Sequence, residues 1–113
     1  MTIKIVENKI TKEELAEIGK EFYEEMVKAV VDVEKEIIAI GGELHSDAAE
    51  VLIKNNSQSE NLWGINIHFD KPKNEWIEFE SLINVKPVFS NRSTKIEKPE
   101  IREKIKKIVD KLT

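Results

Sequence analysis

The sequence predicts an α+β domain in which two amphipathic helices pack on one antiparallel or mixed sheet of about five or six strands. Three observations support this prediction. A nearly continuous apolar run, Ala29–Ile40, indicates strands buried on both faces, as at the centre of a sheet. Residues 62–69 and 75–86 alternate apolar and polar side chains, as half-buried strands do. Residues 11–26 and 99–112 repeat apolar side chains every three or four positions, as a helix covering a sheet does.

Length and composition restrict the class of protein. A chain of 113 residues fits a single domain, residues 1–113, with its own core. The absence of cysteine excludes disulfides, thiolate metal sites and cysteine nucleophiles. No stretch is apolar enough to cross a bilayer and no signal peptide is recognisable, so we expect a cytoplasmic protein without membrane contact. No nucleotide or metal motif is present, and we expect neither a cofactor nor a metal.

Charge is distributed unevenly along the chain. Residues 1–85 contain 9 Lys or Arg and 18 Asp or Glu, whereas residues 86–113 contain 9 and 4. The basic segment either folds back on the acidic body or forms a patch for a phosphate-bearing partner. Because a chain of net charge −4 is a poor general binder of nucleic acid, that function is the least favoured. Its candidate residues would be Lys86, Arg92, Lys95, Lys98 and Arg102.

The first half of the chain predicts an edge strand, a helix and a central hairpin. Residues 2–7 alternate as a strand at a sheet edge. Thr11 and Glu14 have the spacing of a capping box, and the helix stripe that follows consists of Leu15, Ile18, Phe22 and Met26. Strands over 28–33 and 36–40 would turn back at Glu34-Lys35. Asp32 then either lies at an exposed strand end or belongs to a functional site, because an unpaired buried carboxylate is costly.

The second half predicts two or three further strands and a C-terminal helix. Residues 46–54 fit either a short helix opened at Asp47 or a strand, and their β-branched residues and turn-rich exit favour the strand. Matching apolar faces pairs residues 62–69 with 75–86 so that Phe69 lies opposite Ile77 and His68 opposite Glu78. Pro99 suits the first turn of the last helix.

Four strings in this order resemble a family of short prokaryotic proteins of unknown function: GGELH (41–45), LWGIN (62–66), INVKP (83–87) and NRS (91–93). The chain departs from the family pattern at Lys86, where arginine is usual, and at Asn55-Asn56, where an acidic residue and glycine are usual. The resemblance covers nearly the whole chain. It implies a single cytoplasmic domain and implies no activity.

Glu43, His45 and Asp47 are the first candidate functional residues. In an extended backbone these alternating side chains point the same way, so they could act as acid and base or hold a divalent ion. Alternatively, they form a polar strand end in which Asp47 caps the next element. No HExxH, P-loop or nucleophile elbow accompanies them.

A second candidate group consists of Asn84, Asn91, Arg92 and Ser93 around the end of the last predicted strand. An arginine among amides and hydroxyls can bind a phosphate or a carboxylate. Alternatively, these residues tie down the loop by bonding backbone carbonyls. If the two exits lie at the same sheet edge, Glu43, His45, Asp47 and Arg92 would face one cleft.

The function that the sequence favours is a small non-catalytic binding or protein-interaction domain that associates with a protein partner or with itself. The lack of a catalytic motif and the divided charge support this interpretation. The alternative is a small metal-assisted or histidine-dependent hydrolase that uses His45 with Glu43 or Asp47.

Overall fold

The chain, described over residues 1–113 by a computed structural model, forms one open antiparallel sheet of five strands covered by three helices. In chain order the elements are β1 (Ile3–Val6), α1 (Lys12–Gly19), β2 (Val27–Asp32), β3 (Ile37–Gly41), α2 (His45–Lys54), β4 (Leu62–Ile67), β5 (Ile77–Glu78) and α3 (Pro99–Leu112). The strands lie in the order β1-β3-β2-β4-β5. The predicted α+β class is confirmed, and α2 is a helix beyond the two that the sequence favoured.

The hairpin of β2 and β3 lies at the centre of the sheet, as its apolar run predicts, because helices cover both of its faces. Asp32 is buried rather than at an exposed strand end. Its carboxylate accepts hydrogen bonds from the backbone N–H groups of Glu34 and Lys35, at 3.0 and 2.9 Å, and from the Ser57 hydroxyl at 2.7 Å. Asp32 therefore fixes the hairpin turn and ties it to the chain that follows α2, which offsets the cost of burying the carboxylate.

The sheet has an apolar cluster on each face. The α1/α3 face carries the larger one, in which Leu15 of α1 and Ile105, Ile108 and Leu112 of α3 meet alternate residues of the strands. The α2 face carries a smaller one, in which Ala48 and Leu52 of α2 pack on Val30, Ala39 and Leu62. The larger cluster is extended by Ile77 of β5, whereas no residue of β5 joins the cluster on the α2 face, where Asn66 and Glu78 lie instead.

The start of α1 is as predicted, but its end is not. Thr11 accepts a hydrogen bond from the N–H of Glu14 at 3.1 Å, and Glu14 accepts one from the N–H of Thr11 at 3.3 Å, so the capping box is formed. The helix ends at Gly19, where a Cβ would lie only 3.0 Å from the carbonyl oxygen of Met26. Phe22 therefore lies outside the helix and is exposed, contrary to its place in the predicted stripe.

Residues 45–54 form α2 and not the favoured strand, so the short-helix alternative was the right one. The helix begins two residues before Asp47, whose carboxylate accepts a hydrogen bond from the N–H of Leu44 at 3.0 Å. Ala48 and Leu52 lie four residues apart and both are fully buried on the sheet. Packing of this helical stripe outweighs the strand preference of Val51 and Ile53, which is a small energy by comparison.

The strand predicted over 75–86 is reduced to the two residues of β5. Ile67 pairs with Ile77, so the register differs by two residues from the predicted one, and the side chains of Ile77 and Glu78 keep their predicted faces. Trp76 and Ile83 do not follow the predicted alternation, because Trp76 joins the cluster on the α1/α3 face and Ile83 packs on the α2 face. Glu78 lies opposite Asn66 rather than His68, and the His68 ring reaches it diagonally at 3.2 Å. The helix begun by Pro99 is confirmed as α3. None of the helices is long and apolar enough to cross a membrane.

Candidate functional site

A cleft of about 500 Å³ opens on the α2 face between the first turn of α2 and residues 80–83. Lys28 of β2 and Asn66 of β4, which are direct neighbours in the sheet, form its floor. Its full lining consists of Lys28, Leu44, His45, Ser46, Asn66, Glu80, Ser81, Leu82, Ile83 and Thr94. A cavity of this size can enclose a small ligand or a side chain of a partner protein.

Residues 81–84 form one wall of the cleft because Gly64 lets them lie close to β4. A Cβ at Gly64 would lie 2.5 Å from the Ser81 Cβ and 3.1 Å from the Ile83 Cγ1, so any side chain there would push this wall away. The Asn84 side chain forms hydrogen bonds to β4 in the place that a neighbouring strand would take. Its Oδ1 accepts from the N–H of Gly64 at 2.8 Å, and its Nδ2 donates to the Gly64 carbonyl at 3.0 Å.

A second buried amide, that of Asn91, holds the loop behind this wall. Its Nδ2 donates to the carbonyl oxygens of Asn84, Ser93 and Lys95 at 2.7, 3.1 and 2.8 Å. Its Oδ1 accepts from the N–H of Glu97 at 2.8 Å. Because both amides satisfy backbone groups that have no strand partner, residues 81–97 keep a fixed shape although they form only two short 3₁₀ helices and isolated bridges.

His45 lies at the inner end of the cleft and is only 7% exposed. Its Nε2 lies 2.8 Å from the carbonyl oxygen of Ile65. A carbonyl oxygen cannot donate, so this hydrogen bond requires the proton on Nε2. The neutral ring therefore carries a bare lone pair on Nδ1, which accepts no hydrogen bond from the chain. A backbone carbonyl commonly fixes the tautomer of functional histidines in this way.

Burial lowers the pKa of His45 below its ordinary 6.5, and the positive charge of Lys28 adds to this, while hydrogen bonds of the charged ring to the Ile65 carbonyl and to the Asn66 side chain oppose it. The folded chain therefore binds this proton more weakly than the unfolded chain. The neutral His45 ring of the folded chain therefore contributes to the free energy of unfolding. This contribution is fully present above pH 6.5 and is lost as the pH falls through the lowered pKa of His45.

We expect the free energy of unfolding, measured by urea denaturation between about pH 7.5 and about pH 5, to fall over this interval in the native chain. His45→Gln should flatten this dependence. The lowered pKa values of Glu14, Glu78 and Glu97 give a separate loss of stability below their ordinary 4.5, which both chains should share. Equal pH dependence of the two chains above that range would contradict the neutral state of His45.

Asn66 links the cleft floor to a short polar network. Its Nδ2 donates to the Glu78 carboxylate at 2.9 Å, and the same carboxylate oxygen lies 3.2 Å from the His68 Nε2. These two hydrogen bonds lower the pKa of Glu78, because both favour the ionised carboxylate. The Asn66 Oδ1 is buried and accepts no hydrogen bond.

The structure does not bring Glu43 and Asp47 together with His45. His45 begins a helix, so the alternation expected of an extended backbone is absent. The Glu43 side chain is exposed, its carbonyl accepts from the Tyr23 hydroxyl at 2.9 Å, and Asp47 caps α2. No group of three or more His, Asp or Glu side chains is placed to share a metal ion.

Asn84, Asn91 and Ser93 do lie together, and the two amides have the loop-tying contacts that were the alternative to ligand binding. The Ser93 hydroxyl contacts the Lys95 carbonyl and the Glu97 carboxylate, at 3.3 and 3.2 Å. Arg92 is exposed and does not line the cleft, and a ligand at Arg92 stays a prediction.

Sequence reasoning missed Lys28, Asn66, Glu80 and Thr94 as members of one site. Only Asn66 and Glu80 carried a usable signal, since the register that pairs His68 with Glu78 also pairs Asn66 with Glu80 on the polar face of the predicted sheet. The Asn66 Nδ2 lies 3.4 Å from the Glu80 carbonyl oxygen. Lys28 and Thr94 reach the cleft only through tertiary pairing, since Lys28 lies opposite Asn66 and the Thr94 hydroxyl donates to the Glu80 carboxylate at 3.2 Å.

The four strings of the resemblance converge on β4. His45 of the first string bonds Ile65 of the second, Asn84 of the third bonds Gly64, and Asn91 of the fourth bonds the carbonyl of Asn84. A family model described as "Protein of unknown function (DUF5674)" matches residues 4–112. No curated protein and no solved structure matches the chain.

Proposed function

The chain belongs to the DUF5674 family, whose function is unknown, and we propose that it is a non-catalytic binding domain that holds a protein partner at the cleft beside β4. The observation that carries the proposal is the cleft itself: a cavity with a half-buried polar floor and an exposed apolar rim. We also propose that the domain is cytoplasmic. A chain without cysteine is compatible with this, because disulfides are rare in cytosolic proteins.

The rim of the cleft has the composition of an interaction surface. Leu44 is 56% exposed on the α2 side and Leu82 is 82% exposed on the opposite wall. Val85, Val88 and Phe89 continue the exposed apolar surface along the same segment of the chain. Clustered exposed apolar side chains of this kind are typical of protein contact sites.

The stiffness of the rim also favours binding. The hydrogen bonds of Asn84 and Asn91 fix residues 81–97 in one shape before any partner arrives. A contact surface that is already ordered loses little conformational entropy on association, so more of the burial energy appears as affinity.

Leu82→Ser and Leu44→Ser test the proposal, with Ile53→Ser as the matched control, because Ile53 is also exposed but does not line the cleft. Each chain would be used to capture partners from a native lysate with quantitative mass spectrometry, and light scattering would detect self-association. We expect a partner, or a second copy, whose recovery falls roughly tenfold for the first two variants and is unchanged for the control. A strict monomer that captures nothing in a Leu82-dependent way would contradict the proposal.

A hydrolase that uses His45 is the second candidate, favoured by a histidine that lines the cleft and whose Nε2 is held by the Ile65 carbonyl. A neutral imidazole fixed in this tautomer can accept a proton from water as a general base. Glu43 and Asp47, its expected partners, point elsewhere, so a general base would act here without either of them. The test is an esterase and phosphatase screen with and without Mg²⁺, Mn²⁺ and Zn²⁺. Turnover that His45→Gln abolishes supports the hydrolase, and turnover unchanged by that variant excludes it.

A further inference from the structure

The two sides of the cleft carry opposite charges, and the side formed by residues 81–96 is basic. This segment contains Lys86, Arg92 and Lys95 but no Asp or Glu. None of these three cations forms an ion pair within the chain. The exposed apolar side chains of the segment are Leu82, Val85, Val88 and Phe89. We call this surface the basic rim.

The carboxylates that border the basic rim bind to neutral donors of their own loop. Glu97 accepts hydrogen bonds from the N–H groups of Arg92 and Ser93, at 2.6 and 2.9 Å. Glu80 accepts one from the Thr94 hydroxyl at 3.2 Å. Arg92 and Lys95 are exposed, so their positive charges are available to a partner.

The α2 side of the cleft is acidic. The Tyr23 hydroxyl donates to the Glu43 carbonyl at 2.9 Å, so residues 21–25 lie beside the segment 43–47. Together these two segments contain five Asp or Glu and no Lys or Arg. The carboxylates that are exposed and form no ion pair belong to Glu24, Glu25 and Glu43. The exposed apolar side chains are Phe22 and Leu44. We call this surface the acidic rim.

We propose that a second copy of the chain covers the cleft, in a two-fold dimer. The acidic rim of each copy meets the basic rim of the other, and Leu44 of one copy packs against Leu82 of its partner. The inference rests on the proposed binding function and identifies the partner as the chain itself.

The placement of the two rims favours a second copy. A two-fold axis through the cleft exchanges its two sides, so opposite charges on these sides become complementary in both contacts at once. Two sides of equal charge would repel each other across the same axis. Each copy has a net charge of −4, so attraction between copies depends on this local arrangement and not on the total charge. Both rims also carry exposed apolar side chains, whose burial adds to the attraction.

The test measures the mass of the purified full chain by sedimentation equilibrium, together with two charge-reversed variants. Glu24→Lys with Glu43→Lys reverses the acidic rim, and Arg92→Glu with Lys95→Glu reverses the basic rim. We expect the native chain to form a dimer of twice its 13.1 kDa. Each variant alone should associate at least about tenfold more weakly.

An equimolar mixture of the two variants should form the dimer again. One variant then has two cationic rims and the other has two anionic rims, so both contacts of the mixed dimer join opposite charges. Glu7→Lys with Glu103→Lys is the matched control, because it makes the same change of charge as the acidic-rim variant at exposed positions outside both rims. This control should remain a dimer.

Two results would overturn the pairing of the rims. The first is a mixture that stays monomeric although both variants fold and the native chain is a dimer. The second is a native chain that forms a series of species larger than a dimer, as head-to-tail contact would produce. If a charge variant fails to fold, the comparison of Leu82→Ser, which should weaken the dimer, with Ile53→Ser, which should not, decides instead.

The test also separates this inference from the proposed function. A native chain that is monomeric at about 100 μM overturns the dimer. Leu82-dependent capture of a different protein would then spare the binding function, and the absence of such capture would overturn both. A dimer that resists both charge reversals and Leu82→Ser joins the copies through another surface, and this result also overturns the inference.

Discussion

Replacing Gly41 by alanine is expected to lower the free energy of unfolding by about 4 kcal/mol, the largest single effect we predict. Gly41 has a φ of +116°, in the region that residues with a Cβ rarely adopt. A Cβ there would also overlap the carbonyl oxygen of Thr2, at the start of the edge strand β1. Because Gly41 pairs with Ile3, the clash cannot be relieved without separating β1 from β3. Thermal and urea denaturation measure the loss.

Gly42→Ala is the matched control. Gly42 has a φ of +91°, and a Cβ there would approach nothing closer than the Asp47 Cβ at 3.2 Å. Gly42→Ala should introduce the backbone strain but not the overlap, and we expect it to lower the free energy of unfolding by about 1–2 kcal/mol. If the two variants lose the same stability, the close approach of β1 to Gly41 is not what makes glycine necessary there.

Asn84→Ala is expected to cost about 3 kcal/mol and to close or deform the cleft. The substitution leaves the N–H and the carbonyl of Gly64 without the partner they now have, and it removes one of the two hydrogen bonds to the Thr94 carbonyl, which keeps the one from the Ser81 N–H. Each lost partner of a buried backbone group costs on the order of 1 kcal/mol or more. Because these bonds hold the wall of the cleft against β4, the ¹⁵N signals of Asn66 and His45 should shift as well.

Asn61→Ala serves as the control, because its side chain makes one exposed hydrogen bond, to the Glu34 carboxylate at 2.7 Å. We expect it to change stability by less than about 0.5 kcal/mol and to leave the cleft signals in place. A similar small loss for Asn84→Ala would mean that the 81–84 wall does not depend on the amide clamp.

The sequence predicted correctly those helices and strands whose formation is decided by residues close together in the chain. The capping box of Thr11 and Glu14 marked the start of α1, and Pro99 marked the start of α3. The apolar run Ala29–Ile40 identified the central hairpin, since only strands covered on both faces can bury both alternations. In each case the residues that decide the structure are neighbours in the sequence.

The errors occurred where tertiary contacts overrode the local signal. Residues 45–54 became a helix because Ala48 and Leu52 fill the α2 face of the sheet. Residues 81–84 alternate like a strand but form a turn, because the Asn84 side chain takes the place of a strand ladder and Gly64 admits it. The pattern of residues within one segment does not indicate that a side chain such as that of Asn84 will take the place of a strand.

The candidate site was predicted in part. His45 was identified and does line the cleft, but the reason given for it, alternation with Glu43 and Asp47, does not hold. Asn84 and Asn91 were identified as a polar cluster and build the wall behind the cleft. Lys28 and Asn66 meet only because β2 and β4 are neighbours, and the order of strands in a sheet is not encoded in any single stretch of sequence.

The tautomer of His45 tests the central claim, a cleft whose buried histidine is anchored through Nε2 and presents a bare Nδ1. Two-dimensional ¹H–¹⁵N NMR of the imidazole rings at about pH 7.5 reads it directly. The chain has two histidines, so comparison with His45→Gln assigns the signals. We predict a neutral His45 ring protonated on Nε2, with its hydrogen bonded to the Ile65 carbonyl. A ring protonated on Nδ1, or an imidazolium at this pH, would contradict the cleft as described.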